Sequence, residues 1–289
     1  MAFLGYAIFG FSFLFSKRAL DIATPFVLLA ARFTVAFLIL NALLLLGKFR
    51  LDLKGKQLKL LLLLGFFQPV LYFICENYGV KLLDTSFIGT IVALVPIISA
   101  IFGFILLKER VVFFQVFCAI LSIFGVVITT WGQRMGSFSW LGFILILLAV
   151  CSTSIYNVLS KKISGQYTAF ERTYVMMGLG SAVFIALAAV QSRNNLQEML
   201  FIPLASVEFW TSVLYLAGMS SVVAFLLLNQ AIAHLDVAKA AIFANITTVV
   251  TILAGVIILR EHFGWPQAIG SVIIIASAYG VNKSGKPSK

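Results

Sequence analysis

The stretch from Asn77 to Gln115 recurs without a gap from Asn229 to Gln267. Under one fixed shift Asn77 falls on Asn229, Asp84 on Asp236, Gly103 on Gly255, the Lys108-Glu109 pair on Arg260-Glu261, and Gln115 on Gln267. Each copy holds the end of one apolar run, a turn carrying the Asp, a second apolar run, a basic-acidic pair and the start of a third run. Solenoid units repeat every 20–50 residues or so, far fewer than separate these copies. The chain is therefore a half-protein used twice, and the second half must rebuild the helices of the first.

Those helices lie in lipid. Charged residues make up 11% of the chain and the mean hydropathy is +1.08, whereas a soluble domain carries roughly 25% charged residues. The apolar runs are about 20 residues long, the length that crosses about 30 Å of hydrocarbon as a helix. The first half reads as spans Met1–Leu20, Pro25–Gly47, Leu58–Val80, Asp84–Leu107 and Val111–Trp131. The second reads as Phe138–Ser160, Thr168–Val190, Trp210–Ile232, Val237–Leu259 and Trp265–Val281, with a polar connection from Gln191 to Glu208 that is expected to hold a short interfacial piece. Met1–Leu20 has no charged segment before it and no cleavage pattern, so it is read as a helix rather than a signal peptide. Lys17 and Arg18 near its end are expected to snorkel.

An odd number of spans per half makes the second half enter the membrane from the opposite side. The expected fold is an all-α polytopic membrane protein with ten transmembrane helices in two inverted five-helix repeats, residues 1–131 and 138–283. If the N-terminus is inside, fourteen of the 21 Lys and Arg fall in cytoplasmic segments, among them Lys54, Lys161, Lys162, Arg172 and Lys286. Six, including Lys17, Arg134 and Arg193, fall outside, and Arg32 lies within a span. That bias places both termini in the cytoplasm. It also accounts for the net charge of +11 through lipid headgroups rather than nucleic acid. The three cysteines, Cys75, Cys118 and Cys151, are scattered through apolar runs and imply neither disulfide nor zinc.

Four features together resemble the drug/metabolite transporter superfamily, EamA type. They are the inverted halves of five helices, the Arg32-Phe33 pair early in the second span, Pro96 midway along the fourth, and the Leu107-Lys108-Glu109 and Leu259-Arg260-Glu261 endings of the fourth and ninth. Thr248 stands where the repeat would place a second Pro96, so a proline hinge is not common to both halves. The resemblance implies a secondary carrier in the plasma (inner) membrane that moves a small organic metabolite through a cavity at the centre of the helices. Export of an amino acid or amphipathic compound is the leading reading and uptake the alternative.

No phosphate-binding G-x-x-x-x-G-K-[ST] loop is present, and His234 and His262 fall in loops on opposite sides of the membrane. Neither an ATP motor nor a metal-dependent enzyme is supported, and no cofactor is expected. Arg32 and Glu76 stand out as ionisable residues within spans at similar depths. A charge at mid-membrane costs about 2.5–3.5 kcal/mol on insertion scales, so such residues face a cavity or each other. Glu76 is either a binding or proton-linked site, or the partner of Arg32 in a static ion pair, or a side chain reaching back to the interface. Asn77 and Asn229, matched by the repeat near opposite faces, are either paired gates or ordinary helix-end caps. Deeper polar residues belong to spans three, six and nine, which the resemblance places around the cavity: Gln68, Tyr72, Ser152, Thr153, Tyr156, Asn157, Asn245, Thr247 and Thr248. They orient a ligand or bond helix to helix. Pro69 and Pro96 free backbone carbonyls that contact substrate, or else only bend their helices. The small-residue pairs Ser99/Gly103 and Ala276/Gly280 favour close packing within the monomer over a dimer.

Overall fold

The computed structural model describes residues 1–53, 58–107, 113–131, 138–193, 202–234 and 237–284. Among them the chain forms ten helical rods. The first half contains α1 (Ala2–Leu20), α2 (Pro25–Leu45), α3 (Leu58–Gly65, Phe66–Leu71 and Tyr72–Leu82 in succession), α4 (Thr85–Val92, then Val95–Leu107) and α5 (Phe113–Trp131). The second contains α6 (Trp140–Ile163), α7 (Ala169–Ser192), α8 (Val207–Leu214, Tyr215–Ala224 and Phe225–His234), α9 (Val237–Leu253 and Ala254–Ile258) and α10 (Trp265–Ser284). Six rods, α2, α3, α4, α6, α7 and α8, are long and apolar enough to cross a bilayer, and α5 and α9 carry shorter apolar helices. The protein is an all-helical polytopic membrane protein.

Rod ends fall within a few residues of the apolar runs. In hydrocarbon every backbone N–H must be bonded inside its own helix, so a helix runs until water can take over. Local chemistry sets the exact starts. Pro25 opens α2, where its missing N–H costs nothing. Thr168 and Glu171 form a capping box on α7, each side chain accepting the other's backbone N–H. A short helix, Ile202–Ala205, lies in the polar connection before α8. Residues 194–201, Lys54, Lys56, the Lys108–Arg110 segment, Arg134, Asp236, Lys286 and Lys289 lie outside the described residues.

Packing reproduces the duplication. Moving five rods along the chain turns the α1–α9 contact into α6–α4, α1–α8 into α6–α3, and α2–α8 into α7–α3, and all of these contacts are present. The pairs α2–α7 and α5–α10 map onto themselves. Their registers show the sense of the symmetry. Along α2 and α7, Thr24 bonds Gln191, Thr34 bonds Ser181, and Tyr174 bonds Asn41, so residue numbers rise on one rod as they fall on the other. Equivalent rods thus run antiparallel, and the two halves are inverted. Between α5 and α10 the backbones touch at two glycines: a Cβ on Gly125 would lie 2.9 Å from the carbonyl oxygen of Gly270.

Several rods are broken where polar contacts replace the regular ladder. In α3 Gln68 is extended (φ −144°, ψ 112°), and the Ser152 hydroxyl of α6 donates to the Phe67 carbonyl at 2.6 Å. The Phe67 carbonyl, which also accepts the Tyr72 N–H within α3, is thus bonded to a neighbouring rod as well. α4 breaks at Ala93 and Leu94, just before Pro96.

Two loop-charge expectations are corrected. Lys17 does not simply reach for headgroups. Its ammonium donates to the Val80 and Leu83 carbonyls at 2.8 and 2.9 Å, closing the C-terminal end of α3. The repeat has a counterpart at the opposite end of the bundle, where Lys161 donates to Ile232 and Ala233 at the end of α8. Arg172 is no loop residue. It is fully buried in the first turn of α7 and donates to the carbonyls of Ser160 and Asn229. Charge counting missed this because an Arg three residues into a helix reads the same as one just before it.

The repeated Glu also has a structural role. After α9, Arg260 adopts φ 55°, turning the chain so that the Glu261 carboxylate accepts the N–H groups of Thr85 and Ser86, both at 2.7 Å. These are orphan donors at the start of α4, where helix geometry and the macrodipole favour an anion. Gly255 permits the approach, since a Cβ there would fall on the Glu261 carboxylate and lie 2.8 Å from the Ser86 nitrogen.

Candidate functional site

A cavity lies at the centre of the bundle. It is lined by α1 (Tyr6, Phe9, Phe13), α3 (Gln68, Tyr72, Glu76), α4 (Val92, Val95), α6 (including Ile146, Thr153, Tyr156 and Asn157), α8 (Phe225, Leu228, Ile232) and α9 (Thr247). These six rods are three repeat-related pairs: α1 with α6, α3 with α8, and α4 with α9. The cavity therefore straddles the inverted halves. The pairs α2–α7 and α5–α10 stand outside it as buttresses, and α5 turns Phe113, Phe117, Ile123 and Phe124 outward.

The lining is apolar and aromatic with a few polar groups. Phe9 packs against Tyr72 and Phe225, with ring centroids 6.1 and 5.9 Å apart, and Tyr156 against Phe225 at 6.4 Å. These rings close a wall across α1, α3, α6 and α8. Thr153 donates to Gln68 Oε1 at 3.1 Å, so the break in α3 is tied to α6 at the cavity edge. Thr247 donates to the Tyr6 carbonyl at 2.9 Å, a contact that depends on Gly10, whose Cβ would lie 2.9 Å from the Thr247 carbonyl oxygen.

Glu76 is the acid of this lining. It is 1% exposed. Its Oε2 accepts from Asn77 Nδ2, while Oε1 is buried with no hydrogen-bond partner among the described residues. Burying a carboxylate oxygen unpaired is costly. Arg32 does not satisfy it. The guanidinium donates to Ser221 and Ser220 of α8 at 2.8 and 3.0 Å and lies over the Phe73 ring, 4.3 Å from its centroid.

The thirteen polar residues singled out from sequence thus divide. Gln68, Tyr72, Glu76, Thr153, Tyr156, Asn157 and Thr247 line the cavity. Arg32, Asn77, Ser152, Asn229, Asn245 and Thr248 are not among its lining residues. Asn77 keeps its bonds within α3, donating to the Phe73 carbonyl and to Glu76. Asn229 instead joins three rods: its Oδ1 accepts from Tyr156 at 2.7 Å and Ser160 at 3.1 Å, and its Nδ2 donates to Thr173 at 3.0 Å. The repeat conserves the residue type but not its bonding. Asn245 Oδ1 is buried without a partner among the described residues.

Sequence reasoning missed the α1 wall, Tyr6, Phe9 and Phe13, and the α8 contribution. Tyr6 was the available signal, a polar tip within an apolar span. The two phenylalanines carried none, because 28 phenylalanines are spread along the chain, in every span but the tenth.

Residues 1–131 and 140–283 each match the profile of the EamA-like transporter family. An uncharacterized transporter of Bacillus subtilis (strain 168), YcxC, is 34% identical over 278 residues, covering 95% of this chain and 89% of that relative. An uncharacterized transporter of Archaeoglobus fulgidus is 23% identical, covering 96% and 95%. A solved structure titled only "Crystal structure of protein" superposes with a TM-score of 0.65 over 96% of this chain and 94% of that one. At 20% identity it bears on the fold alone.

Proposed function

The chain belongs to the EamA-like transporter family, and from that premise we propose that it is a secondary carrier that exports a small amphipathic organic compound, an amino acid or a relative of one, by alternating access. The moving bodies are the two repeats, residues 1–131 and 138–283, and the site is the cavity between them. The observation that carries this reading is the composition of the cavity wall, three pairs of repeat-related rods around one buried acid. Inverted halves around one central site can expose it to either side in turn. The loop-charge bias supports a plasma-membrane orientation with both termini cytoplasmic and the Asp84 turn outside.

Glu76 is the coupling group of this mechanism. A carboxylate with an open oxygen, within electrostatic reach of a guanidinium that Ser220 and Ser221 of the other half hold, changes its proton occupancy if movement of that half releases Arg32 and alters its separation from Glu76. Leu228 lines the cavity, and Leu228→Cys in a background without Cys75, Cys118 and Cys151 tests alternating access directly. Impermeant thiol reagents added to either face of oriented vesicles should both label it. Labelling from one face under every condition would remove the reading. Proton coupling is tested separately in proteoliposomes, where Glu76→Gln should abolish accumulation driven by a pH gradient; an unaltered gradient-driven rate would remove Glu76 from the coupling.

A further inference from the structure

We propose that the group this cavity recognises is a protonated amine carried on an apolar or aromatic body, with Glu76 Oε1 as its counterion. The inference rests on the cavity being the transport site and adds the class of substrate. It stands on three observations that converge on one place.

The first is the open oxygen. Glu76 is buried, it lines the cavity, and Oε1 has no partner among the described residues. An ammonium N–H meets this need directly. A carboxylate brought to the same atom would place two charges of one sign face to face, and a hydroxyl would donate a hydrogen bond but bring no charge to balance the acid.

The second is the sign of the wall. Its eighteen lining residues include no Lys, Arg or His. Arg32 is the cation within electrostatic reach of Glu76, and it is committed to Ser220, Ser221 and the face of Phe73. It contributes charge from behind the wall and is not among the lining residues. A substrate carboxylate would therefore meet no basic side chain among the described residues of the lining.

The third is the aromatic lining. Tyr6, Phe9, Phe13, Tyr72, Tyr156 and Phe225 all contribute. Ring faces attract cations through their quadrupole and also bury the apolar body of an amine. The neutral polar groups Gln68, Asn157 and Thr247 add hydrogen bonds without adding charge.

The test uses one apolar body with three head groups: phenethylamine (cation), phenylalanine (zwitterion) and 3-phenylpropanoate (anion). Each is titrated against the purified full chain by calorimetry and by the shift in its thermal unfolding. The amine should bind tightest, phenylalanine weaker and the acid weakest, with about tenfold or more between amine and acid. Glu76→Gln should weaken the amine by about 10- to 100-fold, the worth of one charge-assisted hydrogen bond, and leave the acid unchanged or improved. If Glu76→Gln does not fold, the order of the three ligands on the wild-type protein decides alone. The proposal is overturned if the acid binds as tightly as the amine, if the amine is unaffected by a folded Glu76→Gln, or if none of the three binds. Labelling of Leu228→Cys from both faces together with a preference for the acid would remove the ammonium assignment and leave the transport reading standing.

Discussion

The Glu261 clamp gives the sharpest quantitative expectation, because removing it and blocking it should produce the same damage. The carboxylate accepts two backbone N–H groups at 2.7 Å each. Hydrogen bonds to a charged group contribute about 1.5–3 kcal/mol net. Glu261 is only half-buried, so the pair is taken at the low end, about 3 kcal/mol in all. Glu261→Ala should cost that much. Glu261→Gln should cost nearly as much, because its single oxygen can serve one N–H while its amide NH₂ opposes the other. Gly255→Ala acts from the other side: the added methyl would displace the same carboxylate and crowd the Ser86 nitrogen at 2.8 Å. Overpacking of this kind costs about 1–3 kcal/mol, to which loss of the clamp adds. In a Glu261→Ala background the clamp is already gone, and only the crowding of Ser86 remains. The double variant should therefore be more stable than the two single costs predict by about 3 kcal/mol, because the clamp is counted in both. Equilibrium unfolding in mixed micelles measures all four corners of the cycle. Costs that add to within about 0.5 kcal/mol would refute the view that Gly255 recurs in the sequence to admit the Glu261 carboxylate.

Other outcomes follow from the same geometry. Burial first, then the Glu261 carboxylate, push the Asp84 carboxyl above its ordinary 3.8, with Lys17 and His262 pulling the other way. A carboxyl raised on folding adds stability below its unfolded pKa and loses it as pH rises through the raised value. Asp84 makes no side-chain cap, so Asp84→Asn should raise the unfolding temperature near neutral pH, with the gain fading on acidification. Asn229→Ala should destabilise more than Asn77→Ala, since it breaks bonds from α8 to α6 and α7 whereas Asn77 bonds only within α3; thermal unfolding of the two variants decides, and equal losses would contradict the assignment. For Arg172→Met, two buried carbonyls lose their donor, at about 1–3 kcal/mol each, which an unfolding titration reads as an earlier midpoint. Single cysteines at positions 54 and 286 should be protected from impermeant reagent in intact cells and those at 134 and 193 labelled; the reverse pattern would invert the topology.

What could be read from the chain alone was whatever a local, one-dimensional property carries. The number of rods, their ends and the inversion of the halves follow from run length, an odd span count and the Asn77/Asn229 register, because hydrocarbon imposes a length on every helix regardless of its neighbours. Glu76 stood out for the same reason, since an acid inside an apolar run is anomalous wherever the run packs. Which side of each rod faces inward was another matter. In a soluble helix the buried stripe is apolar and the exposed one polar. In a bilayer both faces are apolar, so the sequence of α1 does not distinguish Phe9 and Phe13 of the cavity wall from Phe3 and Phe11 on the outside. Only the tertiary structure turned Arg32 away from Glu76 toward Ser220 and Ser221, buried Arg172, and gave Asn77 and Asn229 different partners. Each of these depends on which polar atoms of distant rods come within about 3 Å, and no spacing along the chain encodes that.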